Sequence, residues 1–172
     1  GVQGLIQDML DTVNEYDGLG LAAPQVHYSV RLVLLTIGEE MRVIINPVIT
    51  PLSEETKRTY EGCLSVEGMR GAVERCAKVR LEAWDEQGQR IDEVLEDMDA
   101  VVVQHECDHL DGVLYIDRCD TSTLAFLPEY RRYGPLDEFF AEAEAIEDSE
   151  EIAAGAEDGV KDGAEIAEDG EA

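Results

Sequence analysis

Two of the chain's three histidines, His105 and His109, stand four residues apart, with Glu106 directly after the first. On an α-helix, positions i and i+4 share a face, so both imidazoles can reach a single metal ion. Glu106 then sits beside the open position of that metal, where it can take a proton from a bound water. The run Ala100-Val101-Val102-Val103 ahead of the motif is apolar enough to bury the helix and give it a rigid, dry support. The spacing predicts a helix from about Met98 to Asp111, stopped by Gly112. The plainer reading is two surface histidines on an ordinary helix, a pattern that composition alone seldom produces.

A catalytic site of this kind takes three protein ligands and keeps one position open. His27 lies beside a Gly-rich stretch and reads as a surface or structural histidine. Two other candidates remain, and they point to different enzymes. Glu129, downstream of His109, would complete a site resembling that of the thermolysin-like metallopeptidases. Those usually carry an Asn four residues earlier, here Ala125, and Pro128 is an awkward neighbour for a helix-borne ligand. Cys63, between Gly62 and Leu64, would be held as thiolate by a metal. Without one it would be a small buried hydrophobe.

The rest of the chain must position these groups. A length of 172 residues suits one domain with a sizeable core. Leu5, Ile6, Met9, Leu10 and Val13 recur at helical spacing, and Asp17-Gly18 closes that helix. Gly18 to Gln25 reads as a loop whose backbone comes close to something, ending in a polar amide. Val30 to Ile37 reads as a buried strand, and Val43-Ile44-Ile45 as another, closed by Asn46-Pro47. Pro51 to Lys57 is turn-like. Ala77 to Trp84 alternates apolar and polar, turns at Asp85 to Gly88 and returns as a strand from Gln89 to Leu95. Val113 to Ile116 is expected as a short strand, followed by an apolar segment around Pro128. The class is α+β, with mixed or antiparallel short sheets packed around a central metal-binding helix.

The net charge of −27 is divided between tail and body: residues 137–172 hold 15 acids against one Lys, and the remainder 25 acids against 12 bases. Such a surface repels nucleic acid and anionic membrane, and it suits a soluble protein or one adapted to high salt. The expected organisation is a catalytic domain over 1–136 and a disordered acidic tail over 137–172, with a frayed helix from Asp137 to Glu147. No apolar run approaches a membrane span and no basic leader is visible. Cys63, Cys76, Cys107 and Cys119 lack a CxxC spacing, so free thiols or metal ligands in a reducing cytoplasm are expected.

Three stretches stand together: Gly18-Leu19-Gly20-Leu21-Ala22-Ala23-Pro24-Gln25, Glu61-Gly62-Cys63-Leu64-Ser65, and Gln104-His105-Glu106-Cys107-Asp108-His109. In this order they resemble the three signature motifs of peptide deformylase, and the resemblance runs from about Leu5 to Tyr130. It implies removal of the N-formyl group from the initiator methionine of nascent bacterial or organellar proteins. It also implies one divalent metal, ferrous iron in the native enzyme, with zinc, nickel or cobalt as substitutes. Carried onto this chain, the resemblance makes Cys63, His105 and His109 the metal ligands and Glu106 the general acid/base. Gln25 and the N–H of Leu64 would form the oxyanion hole. Gly20, Gly62 and Arg70 would face the bound peptide, and Val101 and Val102 would line the methionine pocket. Glu61 with Arg75, and Asp108 behind them, would back the ligands.

The chain also departs from the family. After Val66 the family usually has Pro, and here stands Glu67, at the expected rim of the groove. The family commonly has a segment ahead of the first helix, and this chain begins at that helix, which puts part of the sheet in doubt. Some bacterial members carry a basic C-terminal helix thought to dock on the ribosome. The acidic C-terminus here puts such association in doubt, and a monomer is expected. The alternatives are the thermolysin-like peptidase and an inactive deformylase-like binding protein.

Overall fold

The computed structural model describes residues 1–135. In chain order its elements are α1 (Val2–Glu15), β1 (Gly20–Ala22), a 3-10 turn (Ala23–Val26), β2 (Leu32–Ile37), β3 (Glu40–Pro51), β4 (Thr56–Cys63), β5 (Val66–Cys76), β6 (Lys78–Trp84), β7 (Arg90–Glu96), α2 (Asp97–Leu110), a second 3-10 turn (Tyr115–Asp117), β8 (Asp120–Phe126) and α3 (Leu127–Tyr133). One sheet runs β1-β2-β3-β6-β7 and the other β4-β5-β8. Every pairing is antiparallel, so the α+β class holds with no parallel strand among the described residues.

The unbroken apolar run of β2 has a direct structural cause. Alternate residues of a strand point to opposite faces, and both faces of β2 are covered. Val33 and Leu35 join Leu81, Leu95, Ala100 and Val103 in a core on the α2 side. Leu32 and Leu34 join Leu5, Ile6, Met9 and Val13 of α1 in a second core. The alternation read in β6 likewise persists, with Val79, Leu81 and Ala83 buried. Helix α2 touches strands of both sheets and carries the His-Glu pair to the junction between them. Gln104 fixes it there. Its Oε1 accepts the Cys76 N–H (3.1 Å) and its Nε2 donates to the Cys76 carbonyl (2.9 Å), tying α2 to the end of β5.

Several expected elements differ. Val113 to Ile116 is not a strand: the segment turns as a 3-10 helix, with the Leu114 N–H held by Asp117 Oδ2 at 2.8 Å. That bond bends the chain and buries Tyr115 completely. The strand expected to stop at Asn46-Pro47 continues to Pro51. Its register shifts between Ile45 and Val48, and Asn46 adopts φ 51°. A bulge thus absorbs the proline that would otherwise end the ladder. The loop expected over Gly18 to Gln25 contains the short edge strand β1 and a 3-10 turn. β4, β5 and β8 have mixed patterns and form the second sheet. The expected helix Asp137 to Glu147 and the acidic tail lie outside the described residues. No helix of the described residues is long and apolar enough to cross a membrane.

Candidate metal centre

Cys63, His105 and His109 bring their ligand atoms within 4.8 Å of one another. The two histidines come from successive turns of α2, their rings edge-on with centroids 4.8 Å apart. Cys63 comes from the end of β4, and its Sγ lies 3.2 Å from His109 Nε2. Each imidazole is held from behind. His105 Nδ1 is 2.7 Å from Glu61 Oε2, and His109 Nδ1 is 3.2 Å from the Val113 carbonyl. Both partners can only accept, so Nδ1 carries the hydrogen in each ring and Nε2 is left for a metal. One thiolate and two imidazoles suit a divalent transition metal.

Glu129, the other candidate ligand, is exposed near the start of α3 and is not part of this cluster. Pro128 is no obstacle to that helix, because it sits in the first turn, where its missing N–H costs nothing. His27 is exposed as well.

Charge is arranged in two layers. Behind the histidines, Arg75 donates to Glu61 through Nε (2.5 Å) and Nη2 (2.8 Å), and through Nη1 to Asp108 (2.8 Å). Asp108 also receives Arg118 at 2.6 and 2.7 Å. Burial alone would raise the Glu61 carboxyl, but hydrogen bonds from Arg75 and His105 outweigh it and hold the group below the usual carboxylate range. Glu106 faces the ligands and is different. It is buried, and its Oε2 has no hydrogen-bond partner. Burial pushes its carboxyl up to about 7 against the pull of the two histidines. Its other face presses on Gly20, where an added Cβ would lie 2.5 Å from Glu106 Oε1.

Gln25 enters from the 3-10 turn after β1. Its Oε1 accepts the Ala22 N–H at 2.8 Å, which turns Nε2 toward the ligands. That nitrogen lies 3.0 Å from Ser65 Oγ and 3.4 Å from Cys63 Sγ. Leu64 sits at the tip of the β4–β5 hairpin, beside the same opening.

A family model for polypeptide deformylase matches residues 1–124. The chain belongs to the polypeptide deformylase family. A peptide deformylase of Psychrobacter cryohalolentis is 47% identical over 119 residues, 67% of this chain and 65% of that relative, so the chain spans just under two thirds of its length. The crystal structure of peptide deformylase from Thermotoga maritima superposes with TM-score 0.67 at 39% identity, covering 69% of this chain and 81% of that one. A Met-Ala-Ser-bound class I type b peptide deformylase from Acinetobacter baumannii gives TM-score 0.65 at 35% identity, over 68% and 80% of the two chains.

In this deformylase-family fold the remaining residues singled out in the sequence gather around one cavity of about 400 Å³. Gly20, Gly62, Arg70, Val101 and Val102 line it together with Cys63, His105 and Glu106. Gly62 makes room for its neighbour, because a side chain there would run into the Arg70 guanidinium. Sequence reasoning did not find the Val113 carbonyl, Ser65 Oγ, Arg118 or Tyr115, whose ring stacks at 6.3 Å on His105. A backbone carbonyl leaves no trace in residue type, and Arg118 is one arginine among many. Ser65 did lie inside a marked motif.

Cys63 and Cys107 differ sharply. Burial would raise Cys63, but with no metal bound the His105 ring, raised to about 10, also holds a proton on Nε2, and hydrogen bonds from His105, His109 and the Ser65 N–H bring the thiol down to about 5. Burial pushes Cys107 up to about 12. In metal-free protein at mildly acid pH, iodoacetamide should therefore label Cys63 first and leave Cys107 unmodified. Peptide mass mapping would show this, and added nickel should slow the labelling at Cys63. Preferential labelling of Cys107 would contradict the assignment.

Proposed function

We propose that the protein is a metal-dependent peptide deformylase that hydrolyses the formyl amide at the N-terminal methionine of new polypeptides and releases formate. The observation that carries this reading is the buried Glu106 carboxylate, its Oε2 unpartnered, beside the Cys63–His105–His109 cluster and lining the same cavity. A divalent ion held there, ferrous iron in the native enzyme with zinc, nickel or cobalt as substitutes, would supply the Lewis acidity that lets water lose a proton near neutral pH. Glu106 accepts that proton on its carboxylate and hands it to the departing amine nitrogen. The Gln25 amide N–H and the Leu64 N–H donate to the oxygen of the formyl group as it becomes negative. Asp108, Arg75 and Glu61 hold the His105 ring so that Nε2 keeps its aim.

β1 and β4 are the outer strands of their sheets, and both border the cavity. An extended peptide can add along either edge, with Gly20, Gly62 and Arg70 beside it. Val101 and Val102 would flank the methionine side chain. The Acinetobacter relative holding Met-Ala-Ser supports a groove that accepts a peptide beginning with Met. Such a substrate assigns the protein to the cytoplasm, beside translating ribosomes.

The test is formate release from a formyl-Met peptide by the nickel- or iron-loaded protein. Turnover that vanishes on chelation is expected, whereas a metal-loaded protein with no turnover would favour a binding protein that kept only the fold. Gly20→Ala gives a second, geometric test. The new methyl would overlap Glu106 Oε1 and displace the carboxylate. A misplacement of about 1 Å costs on the order of a hundredfold in kcat, with KM little changed. An unaltered kcat would mean that Glu106 has no fixed task.

A further inference from the structure

The mouth of the cavity carries two carboxylates that no cation among the described residues answers. Asp17 stands where α1 gives way to β1, with φ 50°. Glu67 stands at the start of β5, just past the Cys63–Val66 hairpin. Both are exposed and both line the cavity that holds Glu106. Among the described residues neither has an ion pair or a hydrogen-bonding side-chain partner, although cations such as Arg31, Arg42, Lys57 and Arg80 all hold carboxylates elsewhere. Among the described residues Arg70 is the one Lys or Arg lining the cavity, and its Nη1 is turned to the Met69 carbonyl at 2.8 Å.

The substrate's own chemistry makes this imbalance consequential. A formylated N-terminus carries no charge, so any charge the peptide brings to the mouth lies on the residues after methionine. We propose that Asp17 and Glu67 select among formyl-Met peptides by charge, favouring Lys or Arg in the residues just after methionine and disfavouring Asp or Glu. This rests on the deformylase reading above. Carboxylates at an exposed rim interact through water and salt, so the preference is moderate and screenable. It acts on both encounter and binding, and appears in kcat/KM.

The test compares C-terminally amidated formyl-Met-Ala-Lys, formyl-Met-Ala-Ser and formyl-Met-Ala-Glu with the nickel-loaded full chain. At low salt the Lys peptide should exceed the Glu peptide by about tenfold in kcat/KM, and the ratio should fall toward one near 1 M salt, where the Debye length is about 3 Å. Glu67→Gln and Asp17→Asn should each cut the ratio by about threefold, and together should nearly remove it. Asn tolerates the left-handed backbone at position 17, so folding is not at issue. Glu86→Gln, on the β6–β7 turn and outside the cavity, should leave the ratio unchanged. Turnover of all three peptides at equal kcat/KM would overturn the charge selection and leave the deformylase reading intact. A drop with Glu86→Gln equal to that with Glu67→Gln would overturn the local assignment in favour of the protein's overall charge. No turnover of any peptide, the Ser peptide included, would overturn the deformylase reading and this proposal with it.

Discussion

Glu106→Gln should abolish formate release while making the metal-free protein more stable. The amide cannot accept the proton of the attacking water, and loss of a positioned acid/base lowers kcat by about two to four orders of magnitude. Stability moves the other way because the native carboxylate is buried with Oε2 unpartnered. With its carboxyl pushed up from 4.5 to about 7, the folded state keeps a proton that the unfolded chain releases. Below pH 4.5 both states are protonated and Glu106 imposes no charge penalty. As pH rises from 4.5 to about 7 that stability is lost, in sum about 3 kcal/mol by linkage. The variant escapes the loss, so its Tm should match the parent near pH 4 and exceed it by several degrees at pH 8. Thermal melts of both proteins after chelation, at the two pH values, measure it. A variant less stable than the parent at pH 8 would show that Glu106 is not held there against its electrostatic preference.

The largest loss of stability is expected for Arg75→Leu. The Arg75 side chain is 3% exposed and spans two carboxylates, Glu61 and Asp108, themselves 6% and 13% exposed. Removing one partner of a buried pair strands the others, at a cost of about 3–5 kcal/mol. For a chain of this size that lowers Tm by roughly 10 °C. Asp108 keeps Arg118, so the penalty falls mainly on Glu61. With its cation gone, Glu61 has less reason to stay ionised behind His105, and metal affinity should fall by about ten- to a hundredfold. Calorimetry reads the first effect and a metal titration the second. A normal Tm with normal affinity would mean that the pair neither supports the fold nor aims the ligand. Exposed pairs such as Arg80–Asp92 provide the contrast, because solvent screens them and their removal should leave Tm nearly unchanged.

The sequence by itself determined the groups that meet at this site. Residues four apart on a helix must share a face, whatever surrounds them, so His105 and His109 were legible as a pair. The three motifs carried Cys63, Gln25 and Glu106 with them. The double-sided apolar run of β2, the alternation of β6 and the amphipathic α1 were legible for the same local reason. Tertiary structure alone decided what depends on residues distant in sequence. The motifs pointed to Cys63 over Glu129, but which side chain arrives beside α2 is a distance that spacing along the chain does not contain, and the structure brings Cys63 there. The second sheet was also hidden, because Thr56–Cys63 and Val66–Cys76 mix polar with apolar residues where they border an open cavity and a buried ion network. Val113 to Ile116 has the apolar content of a strand, but Asp117 captures the Leu114 N–H and bends it. Likewise, no pattern of residue types marks Gly20 as the space into which the Glu106 carboxylate fits, since that contact joins an edge strand to a helix more than eighty residues away.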